Sequence, residues 1–526
     1  MKKNFYLLAL IISIFQCVNC IAQNYQCLTP ENNNNNYILS QPSSCTNINN
    51  YIPDPSNNYE NTPVITYKIN IHLFRMTNGS GIYQYSDTSD FKTMVDQMNQ
   101  IFTYIEAPIL PVSPPAQEID DSRVRVKLMG IYFHDNDTYY SSSSSDPCED
   151  TYYDNFKINE ENEINIFFYQ NSNFSSSGCG HFPCVNMMNC TAGWGCAQLL
   201  DHELGHIMGL PHPGNCYGGS CNNDSFDDTY APDCNGSFTN CGVNATSSCL
   251  SAIGISNNIM GYNMCRSYLS PKQMGTIHKN AISSYSYTKF IDCDYNSANS
   301  ITISTNTSWD RSMIISGDLT VSNNSILTIN CSLIMSDYST ITVNSGSALI
   351  IESDAILTGL CDNYWSGNLI VNQDGTLIIK TNGNINVNET GSFEIKDGGY
   401  ICIESGAVIN LLDYLSVINL RPGFISGINP SLNLSANCTA DPTTITVSGN
   451  GEINTFTTDE FIQNITISTN KYYNGNNISA GYDVTALLPY GNVLINNNAH
   501  VILDAANDII LKNCVEIQSG CTFEMK

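Results

Sequence analysis

The stretch Asp201-His-Glu-Leu-Gly-His-Ile-Met-Gly-Leu-Pro-His212 sets three histidines and a glutamate at spacings that suit metal-assisted hydrolysis. On a helix turning about 100° per residue, His202 and His206 stand one above the other on one face, so two imidazoles reach one metal ion. Glu203 lies one residue round from the first ligand. From there a carboxylate reaches a water at the metal and takes its proton as that water attacks a carbonyl. Gly209 can adopt a left-handed conformation that stops the helix and turns the chain back, so that His212 arrives as a third ligand. Three histidines and a water make a tetrahedral zinc site with one open position. The competing reading is a buried helix whose histidines are satisfied by hydrogen bonds. It leaves the spacing of five fixed residue types unexplained.

Such a helix needs a scaffold, and the residues before it supply one. Residues 65–76 are rich in β-branched and aromatic side chains and read as a strand. Phe91, Met94, Val95, Met98, Ile101, Phe102 and Ile105 follow the spacing of an amphipathic helix. Residues 124–134 and 164–169 read as further strands, and the motif helix starts near Gly195. Strand, helix, strand, strand is an α/β (α+β) pattern in which a helix packs on a mixed sheet. After His212 the chain is irregular, with Cys216, Cys221, Cys234, Cys241 and Cys249 and few periodic apolar residues. Asp224, Asp227 and Asp228 in this segment offer hard oxygen ligands of the kind calcium takes; spacing alone favours solvated loop carboxylates. A tight turn at residues 257–262 comes next. Ser270, Pro271 and Gln273 then form a helix start, with a serine cap, proline at the first helical position and glutamine placed for a capping box.

These residues resemble the metzincin metalloproteases, and within them the pappalysin/cytophagalysin-like group. The family pattern after the third histidine has an Asp-Asp-Thr-Pro-like element, then Asn-x-Met-Asp-Tyr and a nearby cysteine. Here Asp227, Asp228 and Thr229 are followed by Tyr230, and Asn258, Met260, Gly261, Tyr262 and Cys265 follow later. The resemblance covers about residues 63–288. It implies that His202, His206 and His212 bind one catalytic zinc, that Glu203 is the general base, and that Met260 forms the floor under the metal. It also implies that Tyr262 lies near the zinc and donates to the oxyanion; on sequence alone Tyr262 reads equally as a packed turn residue. Gly261 replaces the usual aspartate and Tyr230 the usual proline, and the second change weakens the carry-over of a structural calcium site.

Composition bounds the partners. The chain has 526 residues and a formal charge of −28 with only 20 Lys+Arg, which argues against nucleic acid and anionic membrane as partners. Met1, Lys2 and Lys3 before an apolar run at residues 5–15 read as a secretory signal peptide over residues 1–22. No later run is apolar for long enough to cross a bilayer, so the mature protein is expected to be secreted, free or held at a cell surface. Of 22 cysteines, Cys17 and Cys20 go with the signal peptide, and the remaining even number implies disulfides in an oxidising compartment. Residues 23–62 are Asn-rich and polar and read as a linker or propeptide. Cys27 or Cys45 there could cap a zinc as a latency ligand, although a plain disulfide suits an exported chain better.

Past about Asn299 the composition shifts to Ile, Val, Leu, Asn, Ser, Thr and Gly. Leu369, Leu377, Ile385, Phe393 and Ile401 recur at every eighth position, and so do Val371, Ile379, Val387, Ile395 and Ile403. Gly375, Gly383, Gly391 and Gly399 keep the same step and mark the turns. One octad cannot bury its own apolar pair, so stacking must. An octad-repeat β-solenoid of three octads per coil over residues 291–430 is the expected architecture, with an antiparallel meander as the other reading; residues 431–526 continue as a C-terminal β module. The multidomain chain is then a metzincin-like catalytic domain at residues 63–290 followed by an all-β tail. The expected function is a secreted zinc endopeptidase acting on protein or peptide, with a tail that serves as spacer, cell-surface attachment or glycan contact. Another class is an adhesin whose tail carries the function beside a vestigial protease. A third, a non-peptide zinc hydrolase, would lack an edge strand for an extended peptide; residues 177–186 are the candidate for that strand.

Overall fold

The computed structural model describes residues 26–27, 43–57, 59, 62–108, 119–142, 151–173, 176–213, 226, 228–229, 257–261, 266–283, 285–292, 300–360, 364–388, 391–413, 415–421, 423–434, 438, 448–449, 452–455 and 459–526. The chain divides into two compact units. One spans Thr46–Asp292 and also takes in the strand Gln26–Cys27; the other spans Cys293–Lys526 and includes Cys45.

In the first unit, strands β1 (Gln26–Cys27), β2 (Ile65–Arg75), β3 (Val124–Asp135), β4 (Ile164–Asn171), β5 (Ser177–His181) and β6 (Cys184–Met188) join in the order β1-β5-β6-β4-β2-β3. The pairs β6-β4, β4-β2 and β2-β3 are parallel, and β5 runs antiparallel to β6. Ile69, Ile71 and Leu73 on one face of β2 are buried, and so are Asn70, His72 and Phe74 on the other. A strand covered on both faces explains why residues 65–75 carry apolar side chains without strict alternation. Helix α1 (Thr88–Thr103) packs Phe91, Met94, Val95, Met98, Ile101 and Phe102 inward, as their spacing predicted, while Ile105 of the same series is buried just past its end. Helix α2 (Trp194–Ile207) carries the histidine motif, and helix α3 (Pro271–Ser283) follows the irregular segment. Within the stretch read as Asn-rich linker or propeptide, residues 43–57 form short 3-10 turns with Tyr51 buried. Of these, Ile48 and Ile52 lie on α3, where a Cβ on Gly275 would come within 2.9 Å of Ile48 O and 3.0 Å of Ile52 Cγ1.

The second unit contains many parallel strands. Between Ile301 and Thr455 they fall into three parallel sheets, and each strand pairs with the one three places on in the chain. The register sets Leu369 against Phe393 and Leu377 against Ile401, so equivalent octad positions stack in columns. Those apolar columns form one continuous buried core. An antiparallel meander is excluded by this pairing. The octad glycines act differently from the expectation. The left-handed residue is the one before, at Asp374 (φ 58°), Asn382 (φ 60°) and Gly398 (φ 70°). Gly375 is needed because a Cβ there would lie 2.7 Å from Val343 O of the neighbouring turn of chain. Ser325, Ser347 and Ala355, all buried, occupy the same position in earlier octads, so smallness is the requirement.

After Glu460 the strands form two further parallel sheets. Asp504 joins them to the first group. Its carboxylate accepts from Asn419 Nδ2 at 2.9 Å, Arg421 Nη2 at 3.1 Å and the Tyr472 hydroxyl, beside the apolar contact of Leu415, Val417, Tyr472 and Ile502. Disulfides link Cys45 to Cys331, Cys190 to Cys196 and Cys402 to Cys438. Cys45 therefore supplies no thiolate to a metal. Among the described residues no helix is long and apolar enough to cross a membrane. The residues read as a signal peptide lie outside those described.

Candidate metal centre

Helix α2 ends where the sequence places its stop. Gly209 takes φ 91°, its N–H donates to His206 O at 2.9 Å, and Leu210 N–H donates to Gly205 O at 2.9 Å. This is the Schellman pattern, which satisfies the last carbonyls while reversing the chain. Asn280 Nδ2 on α3 adds a bond to Met208 O at 3.0 Å, and a Cβ on Gly209 would sit 2.3 Å from that nitrogen. The reversal carries His212 back over the helix.

The three rings then converge. His202 Nε2 lies 3.2 Å from His212 Nε2, His206 Nε2 lies 3.3 Å from His202 Nε2, and His206 Nε2 lies 3.1 Å from His212 Nε2. Zinc–nitrogen bonds of about 2.0–2.1 Å in tetrahedral geometry would separate the nitrogens by about 3.3–3.4 Å, so the donor set fits a zinc ion. The other nitrogens point away. His202 Nδ1–H donates to Ile259 O at 2.7 Å and His206 Nδ1–H to Leu210 O at 2.8 Å. A carbonyl can only accept, so these two rings carry their protons on Nδ1 and turn bare Nε2 atoms to the centre. Burial holds the pKa values of all three rings down, and the Arg266 guanidinium acts in the same direction; His206 is brought to about 4. Neutral imidazoles are the form that ligates. Burial pushes the neighbouring Asp201 carboxyl well above its ordinary range, against the opposing pull of Arg266.

Glu203 is buried beside the cluster, and strand β5 holds it. Gly180 N–H donates to Glu203 Oε2 at 2.8 Å. A Cβ on Gly178 would lie 2.6 Å from Glu203 Cγ, and one on Gly180 would lie 2.6 Å from Glu203 O. Only glycine at both positions lets this strand lie on the helix. Met260 is buried against α2, where a Cβ on Gly205 would come 2.2 Å from its sulfur. Its turn is built by Asn258, whose Oδ1 accepts from Met260 N at 2.9 Å and whose Nδ2 donates to Gln273 Oε1 at 2.8 Å. Gln273 also completes the anticipated capping box: Ser270 N donates to Gln273 Oε1 at 2.9 Å and Gln273 N to Ser270 Oγ at 3.2 Å.

Of the candidate site residues, His202, His206, His212 and Glu203 come together, with Gly209 and Met260 in the supporting positions. Tyr262, Asp224 and Asp227 lie outside the described residues. Asp228, the third residue considered for calcium, is described. Its carboxylate accepts from Ser270 Oγ at 2.7 Å and from Lys272 N at 2.7 Å, so it caps the start of α3. Sequence reasoning missed Gly178, Gly180, Gly205 and Arg266. The alternating glycines in Ser177-Gly-Cys-Gly-His181 were the available signal for a strand pressed against another backbone.

Residues 165–281 match the peptidase M43 family, described as pregnancy-associated plasma protein-A. The matched stretch contains α2, the turn at Met260 and most of α3. The match supports a metalloprotease of the metzincin type; the M43 family is zinc-dependent, and the histidine triad is a group that could hold the ion. No curated protein matches the chain.

Proposed function

We propose that the unit containing this M43-like stretch is an exported zinc endopeptidase in which Glu203 is the general base. The observation that carries the reading is the convergence of three Nε2 atoms within 3.1–3.3 Å, two of them on rings whose Nδ1 protons are committed to Ile259 O and Leu210 O. Zinc bound there would supply a polarised carbonyl and a water of lowered pKa. Glu203, oriented by the Gly180 N–H, takes the proton from the attacking water and returns it to the leaving amine. Tyr262 as oxyanion donor rests on the family resemblance.

Strand β5 favours a peptide over a small amide as substrate. Its outer edge lies beside Glu203, and an extended peptide adds to such an edge by main-chain hydrogen bonds. The backbone of Gln26–Cys27 pairs with that edge in parallel, so a substrate strand has to displace it. This agrees with residues 23–62 acting as a propeptide. Export rests on the signal-peptide reading and on disulfides such as Cys402–Cys438. We read the three parallel sheets of the tail as a β-solenoid of three octads per coil that acts as a spacer or attachment module.

The test is a zinc measurement on the purified full chain together with a protein-substrate digest. Glu203→Ala should retain zinc and lose activity by about 10²–10⁴-fold. A chain that binds no zinc and cuts nothing, or a Glu203→Ala variant as fast as wild type, would overturn the reading.

A further inference from the structure

The tail carries an apolar projection that its own core does not use. Residues 482–490 form a loop between the strands Lys471–Ala480 and Val493–Ile495. At its tip Leu487 is 87% exposed, the highest value for a large apolar side chain among the described residues, with Leu488 at 41% and the flanking Tyr482 and Tyr490 at 46% and 57%. The two tyrosine rings stand 6.2 Å apart at 34°.

The loop is nevertheless rigidly built. Gln463, buried beneath it, accepts from Val484 N at 2.6 Å and Thr485 N at 3.1 Å. Its amide donates to Thr485 O at 3.2 Å, Leu488 O at 2.9 Å and Pro489 O at 2.9 Å. Leu487 N donates to Thr485 Oγ1 at 3.1 Å, Gly491 N to Tyr482 O at 3.1 Å, and Lys512 Nζ to Asp483 O at 3.0 Å. The backbone on both sides of the tip is thus bonded to Gln463 while leucines and tyrosines are exposed.

We propose that this loop inserts into the surface of a zwitterionic lipid bilayer. Gln463 fixes the base of the loop, so that the leucine side chains alone need enter hydrocarbon while the tip backbone stays at the hydrated headgroup level. An aliphatic tip with tyrosines at its base matches the order of environments at a membrane, hydrocarbon and then headgroup layer. Charge selects the headgroup. The chain carries −28 overall, which opposes an anionic surface, whereas this projection holds one acid, Asp483, beside one base, Lys512. Size argues against a second copy as occupant, because a stable interface takes about 20–30 residues a side. Sugar recognition would need polar side chains beside the aromatic rings, and here the outermost side chains at the tip are the aliphatic Leu487 and Leu488.

The test is sedimentation of the full chain with phosphatidylcholine vesicles, with phosphatidylserine vesicles and chitin beads as parallel arms. Wild type should partition onto phosphatidylcholine, and the L487S/L488S double variant should lose at least about tenfold of that partitioning with an unchanged circular dichroism spectrum. Gln463→Ala should also lower it, since the loop would lose the bonds that hold its leucines outward. The proposal is overturned if wild type does not sediment with phosphatidylcholine, or if the double variant binds equally. It is also overturned if binding requires phosphatidylserine, or if only chitin retains the chain and the leucines do not matter. None of these readouts involves peptide hydrolysis, so they stand apart from the endopeptidase reading.

Discussion

An imidazole binds a metal through whichever nitrogen lacks a proton, and in this protein backbone carbonyls make that choice. Ile259 O and Leu210 O fix the Nδ1 protons of His202 and His206, which leaves Nε2 to the metal. Both carbonyls belong to segments that the motif residues themselves position: the Met260 turn and the reversal after Gly209. Close approach is the second residue-scale demand. Gly205 leaves room for the Met260 thioether, since a Cβ there would stand 2.2 Å from the sulfur and 3.0 Å from Cε. Gly205→Ala should therefore destabilise the first unit by about 1–3 kcal/mol, the usual cost of overpacking. Thermal melts would check it, and adding Met260→Ala should recover part of the loss if the clash is the cause.

At the scale of elements, each piece of the scaffold is fastened at a definable point. Asp228 caps α3 through Ser270 Oγ and Lys272 N. Asp228→Ala should cost about 1 kcal/mol in a urea titration, the usual loss for an N-terminal acceptor. Strands β2, β3 and β4 are tied by a histidine relay. Asn165 Nδ2 donates to Ile158 O and Glu163 O, so its Oδ1 accepts from His72 Nε2 at 2.8 Å, and His72 Nδ1 then accepts from His134 Nε2 at 2.9 Å. Burial brings both histidines to about 4, with His134 adding to the effect on His72. The unfolded chain takes up these protons near pH 6.5 and the folded chain only near pH 4. Stability from this pair is thus complete above about pH 6.5 and falls as the pH drops towards 4, by at most about 1.4 kcal/mol per pH unit for His72 and by less for the more exposed His134, whose charge solvent screens. His72→Gln should flatten the acid limb of a denaturation profile; an unchanged limb would remove the relay from the account.

At the scale of the whole molecule there are two compact units with different sources of stability. A metal held by His202, His206 and His212 would bind only the folded form of the first unit and so would stabilise it by mass action. Chelation should lower the melting transition of that unit and leave the tail's transition in place, which calorimetry can separate. Conversely Ile385→Ala, in the fully buried apolar column of the tail, should cost about 2–5 kcal/mol in the tail's transition. Neither change is expected to move the other unit's transition.

What could be read from residue order alone was whatever repeats or has fixed local spacing. His202, His206 and Glu203 follow from helical geometry, His212 from the stop at Gly209, α1 from its apolar period, the capping box from Ser270 and Gln273, and the stacked tail from its step of eight. Each depends on neighbours a few residues away or on a periodicity carried along the chain. The rest depends on segments that meet only in three dimensions. Nothing near Gly178 announces that β5 will lie on Glu203, nor near Asp228 that its partner is Ser270, 42 residues on. The short polar turns around Tyr51 read as linker because their apolar partner, α3, lies more than two hundred residues downstream. The octad glycines do sit at corners, but only the stacked turns reveal that a neighbouring carbonyl, rather than a left-handed backbone, demands them. Close packing between distant segments leaves no local trace beyond a small side chain, and a small side chain suits a turn, a cap or a surface loop just as well until the fold brings its neighbour into contact.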